Sequence, residues 1–412
     1  MIRARWTSAF ALMSAVLIGP LAMLPAQTTR DSAGRRIVAS DKPMWTAAQQ
    51  LRLAAAPTLV IGDREEEPYQ LGQVSGAFYL SDGRIVIGDG ASNELRVFDG
   101  TGKHQNTFGR RGDGPGEFRR IQAVSRLAGD TIAVMHEMAS VSRFTTDGAY
   151  ITRTDEQNAG APRAGGAMQS VALAFNGGAR LVVHFPRRPS TRGVGVEFDV
   201  TGLHEVVGRN VATSRAMGNL PAMRASADKN GPSKPWLGAE EVFASDGAQF
   251  YLGYGTEYSL TRYTAAGVPN LVVRRAWIAP KVSRREFEEF TDEWLNRWSK
   301  ATGAALEAER REQLAMAYFK TLPAFSPLLL DRLGRLWARA PAAIDGAVAG
   351  SLNDYAIRPS TWSVFSANGA WLGDVAMPAR FTPTDIGADY VLGVARDDDA
   401  VSTVVRFRLG TR

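Results

Sequence analysis

The 412-residue sequence contains no cysteine and only four histidines. Without cysteine the chain can form no disulfide and can carry no lipid on a cysteine side chain. The few histidines supply little material for a zinc site, which needs three or four converging nitrogen, sulfur or carboxylate ligands. A chain of this length can bury a sufficient core without such staples.

Long apolar runs are also scarce, and the one that stands out lies at the N-terminus. Residues 10–24 follow Arg3 and Arg5 and precede Ala26, which is the pattern of a secretory signal peptide over residues 1–26. The run holds about 15 residues, fewer than the roughly 20 that cross a bilayer. We therefore predict a periplasmic or secreted protein with no membrane span after signal cleavage. A retained N-terminal anchor is the alternative.

Basic clusters and catalytic motifs are missing as well. The formal net charge is +6, but the arginines are scattered and do not alternate with aromatic residues, so nucleic-acid binding is not predicted. The sequence has no Gly-x-Ser-x-Gly, P-loop, His-Glu-x-x-His or dinucleotide fingerprint. These absences leave repeats as the informative feature.

Residues 75–120 are the clearest of several internal repeats. Four short strands are predicted there, separated by Asp-Gly turns, because Asp-Gly tolerates the backbone angles that tight hairpins require. A small turn before an alternating apolar strand recurs at Asp82-Gly83, Gly129-Asp130, Asn176-Gly177, Asp246-Gly247 and Leu333-Gly334. An aromatic residue four positions before a glycine recurs at Phe98/Gly102, Phe144/Gly148, Phe198/Gly202, Tyr263/Gly267 and Phe365/Gly369.

A sixth repeat is split between the two ends of the chain. Residues 389–394 and 401–407 are predicted strands, and residues 57–62 form an orphan strand before the first full repeat. If this N-terminal strand completes the last sheet, no exposed strand edge remains there. The sequence thus predicts an all-β fold: a six-bladed β-propeller over residues 57–412, with four-stranded antiparallel blades. Residues 27–56 form a preceding N-terminal segment.

Three segments depart from the repeat. Residues 209–235 and 341–361 are interpreted as long loops, the second within the fifth blade. Residues 283–320 are predicted to form an inserted helical hairpin that packs on the propeller. A lid over the channel or an interaction arm is the alternative. The hairpin prediction rests on a Ser283/Glu286 capping box, on a helical stripe of Phe287, Phe290, Trp294 and Trp298, and on a second helix through Leu306, Leu314 and Tyr318.

The stretch DGRIVIGDGASNELRVFDGTGKHQNTFGRRGDGPGEF resembles an NHL repeat, as found in bacterial six-bladed β-propellers of the TolB-like and NHL superfold. The ending FTPTDIGADYVLGVARDDDAVSTVVRFRL resembles the closing blade of such proteins. The resemblance covers residues 57–120 and 381–410. It implies a fold and a binding-type scaffold, and it brings no catalytic motif.

Two kinds of metal site are considered from propellers of similar shape. Amidating lyases of the propeller type use several histidines from different blades, whereas His136 and His184 of this chain are expected to face opposite ways; the other two histidines are His104 and His204. Gluconolactonase-like propellers hold a divalent ion with Glu, Asn and Asp, and oxygen ligands suit calcium or magnesium. The candidates for that role, near predicted inner strands, are Glu240, Glu241 and Asp331.

Two charged motifs have simpler explanations. Asp397-Asp398-Asp399 is expected in a solvated hairpin loop. Arg111-Gly112-Asp113 is expected in the glycine-rich connection between the first two blades, with Phe118 filling the interface between them. The tryptophans of the C-terminal half are expected in the core.

The predicted function is a non-enzymatic binding scaffold whose end-face loops contact a protein, peptide or carbohydrate. It is expected to be monomeric and to need no cofactor, and no catalytic, metal-binding or individual ligand-binding residue is assigned. The alternative is a divalent-metal-dependent hydrolase or lyase with an ion such as calcium in the channel.

Overall fold

The structure is a computed structural model that describes residues 27–137, 140–154, 168–185, 197–208, 214–228, 231–233, 236–316, 318–343, 357–399 and 401–411. The predicted signal peptide, residues 1–26, lies outside the described residues.

Six β-sheets form the blades of a propeller, which confirms the predicted fold class. Within each blade the strands lie side by side in chain order and pair antiparallel. Several neighbouring blades contact one another through their first strands, which surround the central channel.

The strands follow the chain from an N-terminal segment into blades one to three. The N-terminal segment contains β1 (Gln27–Ser32), β2 (Arg35–Ser40), β3 (Arg52–Leu53) and β4 (Leu59–Ile61). Blade one contains β5 (Val74–Tyr79), β6 (Ile85–Asp89), β7 (Glu94–Phe98) and β8 (His104–Phe108), and is followed by β9 (Arg110–Arg111) and β10 (Glu117–Phe118). Blade two contains β11 (Ile121–Arg126), β12 (Ile132–His136), β13 (Ser140–Phe144) and β14 (Tyr150–Thr154). Blade three contains β15 (Met168–Ala174), β16 (Arg180–Phe185), β17 (Glu197–Val207), β18 (Arg215–Asp228) and β19 (Gly231–Ser233).

Blades four to six complete the ring. Blade four contains β20 (Val242–Ser245), β21 (Gln249–Gly253), β22 (Ser259–Thr264) and β23 (Pro269–Arg275). Two helices follow, α1 (Arg284–Trp298) and α2 (Gly303–Ala315). Blade five contains β24 (Leu328–Leu330), β25 (Leu336–Arg339), β26 (Ser360–Phe365) and β27 (Trp371–Met377), and blade six contains β28 (Phe381–Ile386), β29 (Tyr390–Arg396) and β30 (Ser402–Gly410).

The ring closes as the sequence predicts, through the N-terminal strand. β4 pairs antiparallel with β30, with Ile61 opposite Val404 and Leu59 opposite Arg406. The preceding residues also belong to the propeller, because β2 pairs parallel with β23 of blade four and the backbone of Trp45 donates to the Leu372 carbonyl of blade five. Residues 27–61 therefore form an outer belt along blades four, five and six.

The blades pack through side chains that alternate along each strand. In β6, Ile85 and Ile87 contact blade six, whereas Val86 contacts blade two, so both faces of the strand are buried. Phe118 is fully buried among residues of blades one and two, where the sequence predicts it.

Antiparallel order gives the ring two unlike faces. Turns between the first and second strands, such as the one at Gly83 (φ 87°), and turns between the third and fourth, such as the one at Gly102 (φ 86°), lie on one side, which we call the turn face. Connections between the second and third strands and between successive blades lie on the other side, the insertion face. The helices α1 and α2 therefore lie on the insertion face.

Hydrogen bonds join the turns of neighbouring blades around the turn face. The side chain of Asp130 in blade two accepts from the backbone N–H of Ser81 in blade one at 2.8 Å. Asn176 of blade three accepts from Ala128 of blade two at 2.8 Å, and its own N–H donates to the Gly247 carbonyl of blade four. Further links run from blade five to blade six and from blade six to blade one.

Blade three departs from the prediction in two ways. The interpretation of residues 209–235 as a loop is wrong for residues 215–228, because β18 pairs along the whole length of β17. In the other blades that carry it, the aromatic/glycine marker lies at the end of the third strand. In blade three Phe198 and Gly202 instead precede the part of β17 that pairs with β16, which is Leu203 to Val207. The earlier part of β17 pairs with β18 and extends this hairpin beyond the blade. The loop predicted over residues 341–361 is consistent with the gap between β25 and β26, although residues 344–356 lie outside the description.

The helical insertion packs against the connection between blades three and four. Ser283 and Glu286 form the predicted capping box, with both reciprocal hydrogen bonds present. Phe287 and Phe290 are buried together with Leu237, while Trp236 contacts the rings of Phe290 and Trp294. The second helix ends at Ala315, so Tyr318 lies outside it, and the side chain of Trp298 lies outside the description.

Candidate functional site

The carboxylates proposed as metal ligands are placed in separate environments. Glu241 accepts from His204 Nε2 at 2.6 Å. Asp331 is buried and accepts from Arg335 at 2.5 Å and from the indole N–H of Trp337 at 2.8 Å, so it secures the turn of blade five. Glu240 lies beside Glu241 in the connection between blades three and four, where a bridge links it to Met223.

The four histidines likewise have separate polar neighbours. His136 Nε2 lies 2.9 Å from Ser142 Oγ, and His104 Nε2 lies 2.8 Å from Thr107 Oγ1. His184 Nε2 lies 3.4 Å from a Glu205 carboxylate oxygen. No group of three or more His, Asp or Glu side chains suited to a metal occurs among the residues that the structure describes. The described residues therefore provide no set of ligands for the metal-dependent alternative.

The two charged sequence motifs lie where the sequence predicts. Asp397 begins the turn between β29 and β30 and accepts from the backbone N–H groups of Asp399 and Val401 at 3.0 and 2.8 Å. Asp113 follows β9 in the connection between blades one and two and pairs with Arg119 at 2.5 Å. Asp397 therefore holds a local turn, whereas Asp113 forms an exposed ion pair within the connection.

The central channel contains a cavity of about 340 Å³. Its walls are the first strands of five blades, represented by Ala77, Ser125, Ser245, Leu329 and Thr384. Arg332 and Asp385 also line this cavity, near its end at the turn face.

A larger cavity, of about 530 Å³, opens on the turn face at the seam where the ring closes. We call it the closure cleft, and Arg332 lines both it and the channel cavity. Its walls come from blades one, five and six and from the residue before β4: Thr58, Tyr79, Leu80, Ser81, Gly83, Arg332, Asp389, Tyr390, Arg406, Phe407 and Arg408.

One wall of the cleft is a fixed group of polar side chains. Arg332 donates to both carboxylate oxygens of Asp385, at 2.8 and 2.7 Å, and to the carbonyl of Tyr79 at 2.5 Å. The same carboxylate accepts from the Tyr79 backbone N–H at 2.9 Å and from the Tyr390 hydroxyl at 3.1 Å. Asp385 therefore links blades five, six and one around a neutralised arginine.

Two further arginines of the cleft lie on β30 and have different surroundings. Arg406 donates from Nη1 to the Tyr79 hydroxyl at 2.9 Å and from Nε to Thr58 Oγ1 at 3.0 Å. Both acceptors are neutral. Arg408, two residues further along β30, projects from the same side of the strand, because Phe407 and Leu409 between and beyond them are buried.

The two tyrosines of the cleft stay protonated over the ordinary pH range. Burial raises the pKa of Tyr79, and the positive charge of Arg406 opposes only part of that rise. Burial also raises the pKa of Tyr390 strongly, and the neighbouring Asp385 carboxylate adds to the effect. Their rings meet edge to face with centroids 5.0 Å apart. The cleft thus presents the hydroxyl of Tyr79 as a donor, together with guanidinium groups and an aromatic ring.

Sequence analysis assigned no residue to this cleft. A signal was present in the closing strand, where Arg406 and Arg408 alternate with buried Phe407 and Leu409. The sequence also predicts that the N-terminal strand meets this strand at the seam. Two arginines on the same side of the closing strand could therefore have been predicted to lie there.

The profile of a protein family described as "6-bladed beta-propeller" matches residues 68–160, which include blades one and two. No curated protein matches the sequence. Fold and family description together define the class as a six-bladed β-propeller, and neither described helix is long and apolar enough to span a membrane.

Solved structures with the same architecture share little sequence with this chain. A member of the DUF4221 family from Bacteroides vulgatus is 11% identical, with a TM-score of 0.51 over 89% of this chain and 100% of that chain. A candidate exported protein from Bacteroides fragilis is 12% identical, with a TM-score of 0.47 over 91% and 99%. A calcium-binding protein, regucalcin, from Agrobacterium tumefaciens is 10% identical, with a TM-score of 0.36 over 86% and 96%.

Proposed function

We propose that the protein is an exported binding scaffold of the NHL-like kind, which holds a peptide or carbohydrate ligand in the closure cleft without transforming it. The observation that carries the proposal is the cleft itself. Its volume of about 530 Å³ falls in the range of small-molecule sites. Export rests on the signal-peptide pattern of residues 1–26.

The walls of the cleft support a binding role because they are preorganised. Strands and tight turns supply most of the lining, and the Asp385 network ties three blades together at this point. A rigid site loses little conformational entropy when a ligand enters, so more of the contact energy appears as affinity.

The experiment compares two tryptophan variants of the outer strand of the seam. Thr58 lines the cleft, whereas Val60 lies two residues along the chain, is 37% exposed and is not part of the lining. We expect Thr58→Trp to obstruct the cleft and Val60→Trp to leave it open. Peptide and oligosaccharide libraries are screened against the mature chain by thermal shift, and hits are measured by titration calorimetry.

The expected result is a ligand whose affinity falls at least about tenfold, or 1.4 kcal/mol, in Thr58→Trp and is unchanged in Val60→Trp. Ligands that bind both variants equally would place the site elsewhere and overturn the proposal. Turnover of a bound ligand, followed by mass spectrometry, would overturn the non-enzymatic part.

A further inference from the structure

The charges within the closure cleft are unevenly compensated. Arg332 is matched by Asp385 through two hydrogen bonds. Arg406 is held only by the hydroxyl groups of Tyr79 and Thr58 among its hydrogen bonds. Arg408 is exposed on the same side of β30, and the lining residues include the carboxylate of the exposed Asp389.

The geometry around Arg406 leaves donors available. Its Nε and Nη1 are oriented by Thr58 and Tyr79, which fixes the plane of the guanidinium group and leaves Nη2 for a further acceptor. The Tyr79 hydroxyl accepts from Arg406 and therefore keeps its own proton to donate. Two oxygen atoms of one ligand group could therefore accept side by side, one from Nη2 of Arg406 and one from the Tyr79 hydroxyl. The hydrogen bond from Arg406 would be charge-assisted.

The rest of the cleft suits the body of a small organic molecule. The half-buried Tyr390 lines it beside these donors. Aromatic edges and apolar side chains pack against sugar rings and against the side chains of short peptides.

We propose that the closure cleft binds the carboxylate group of a small ligand, with the carboxylate on Arg406 and Tyr79 and the body of the ligand against Tyr390. This assignment rests on the proposed binding function and specifies its ligand chemistry. A sugar acid and the C-terminus of a short peptide both present this group.

The test uses two matched pairs of probes that differ in the carboxylate. Galacturonate is compared with galactose, and N-acetylphenylalanine with N-acetylphenylalanine amide, by ligand-observed NMR titration of the mature chain. Because a hydrogen bond to a charged group contributes more than one to a neutral group, we expect the acid of at least one pair to bind about tenfold or more tightly than its neutral partner. The pair that responds identifies the source of the carboxylate.

Variants then locate the effect. Arg406→Met keeps the length of the side chain and removes its charge, and is expected to abolish the preference for the acid. Arg406→Lys should retain part of it. Arg111→Ala, at an exposed arginine in the connection between blades one and two, is the matched control and should behave as wild type. Melting temperatures of all variants check that the seam stays closed.

Several results would overturn the assignment. Equal binding of acid and neutral partner, an acid preference that survives Arg406→Met, or no binding of any probe would each do so. Galactose 6-phosphate serves as a further probe, and tighter binding of this phosphate than of galacturonate would replace the carboxylate with a phosphate. A library ligand that is neutral and blocked by Thr58→Trp would refute the carboxylate while leaving the proposed function intact.

Discussion

On the turn face, single polar side chains connect the turn of one blade to the turn of the next. Asp130 is the clearest example, because it accepts from the N–H and the hydroxyl of Ser81 and from Arg126. The sequence identified Gly129-Asp130 as a turn from local chemistry alone. It could not identify Ser81 as the partner, since 49 residues separate the two and only closure of the ring brings them together.

Asp130 makes the stability of the junction depend on pH. Burial tends to raise its pKa, but the hydrogen bonds from Ser81 and the charge and hydrogen bond of Arg126 outweigh this, and the pKa lies below its ordinary value. A lowered pKa in the folded state contributes stability above the unfolded value, near 3.9, and the contribution is lost as the pH falls through the folded pKa.

We expect Asp130→Asn to lower the free energy of unfolding by about 1 kcal/mol at pH 7, since the amide accepts more weakly than the carboxylate. Asn also tolerates the positive φ of 57° at this position. The difference from wild type should shrink as the pH falls below about 4, as measured by urea unfolding at several pH values. Asp398→Asn is the control, because that carboxylate is 92% exposed in its pair with Arg380 and such pairs contribute little. A pH-independent difference would contradict this account.

At the scale of elements, the insertion face is built where a long hairpin meets two helices. The guanidinium of Arg224 in β18 lies over the ring of Phe319, 5.5 Å from its centroid, and the N–H of Phe319 donates to the Trp236 carbonyl. The helices were predictable because a capping box and an apolar stripe are local signals. β18 was not, because its Ala, Asn and Pro residues disfavour strands and its pairing with β17 is a tertiary effect.

The capping box gives a prediction for the helical insertion. The Ser283 hydroxyl accepts a hydrogen bond from the Glu286 N–H and donates one to the Glu286 carboxylate. Thr302, the N-cap of α2, makes no side-chain capping hydrogen bond. We expect Ser283→Ala to destabilise α1 by about 1 kcal/mol and to speed amide exchange in its first turns, with blade amides unchanged. Thr302→Ala, the matched control, should leave exchange in α2 nearly as in wild type. Equal effects of the two substitutions would show that packing alone holds α1.

At the scale of the whole molecule, the ring is held by blade packing and by the pairing of β3 and β4 with β30 at the seam. The six blades bury side chains against both neighbours, as Ile87 and Val86 do in blade one. We predict that this packing needs no ion. Elemental analysis of the mature chain should find no stoichiometric metal, and dialysis against chelator should leave the melting temperature unchanged. A bound divalent ion whose removal lowers the melting temperature would instead favour the metal-dependent alternative.

The strand pairing at the seam leads to a prediction about N-terminal truncations. β3 and β4 cover the outer edge of β30, whereas the hairpin of β1 and β2 extends blade four and takes no part in closure. A chain that starts at residue 42 should therefore stay monomeric and unfold in one cooperative step. A chain that starts at residue 63 also loses Thr58 from the cleft and leaves the β30 edge unpaired, which favours self-association.

Light scattering after gel filtration distinguishes the two truncations, and amide exchange shows where each one loosens. We expect the longer truncation to associate and to lose protection first in β29 and β30, because an unpaired outer strand exposes their backbone groups to water. The shorter truncation should lose protection mainly in β23, the strand that β2 covers. If the chain from residue 63 remains monomeric with the wild-type melting temperature, the blade interfaces hold the ring without β3 and β4, and the seam is then a site for ligands alone.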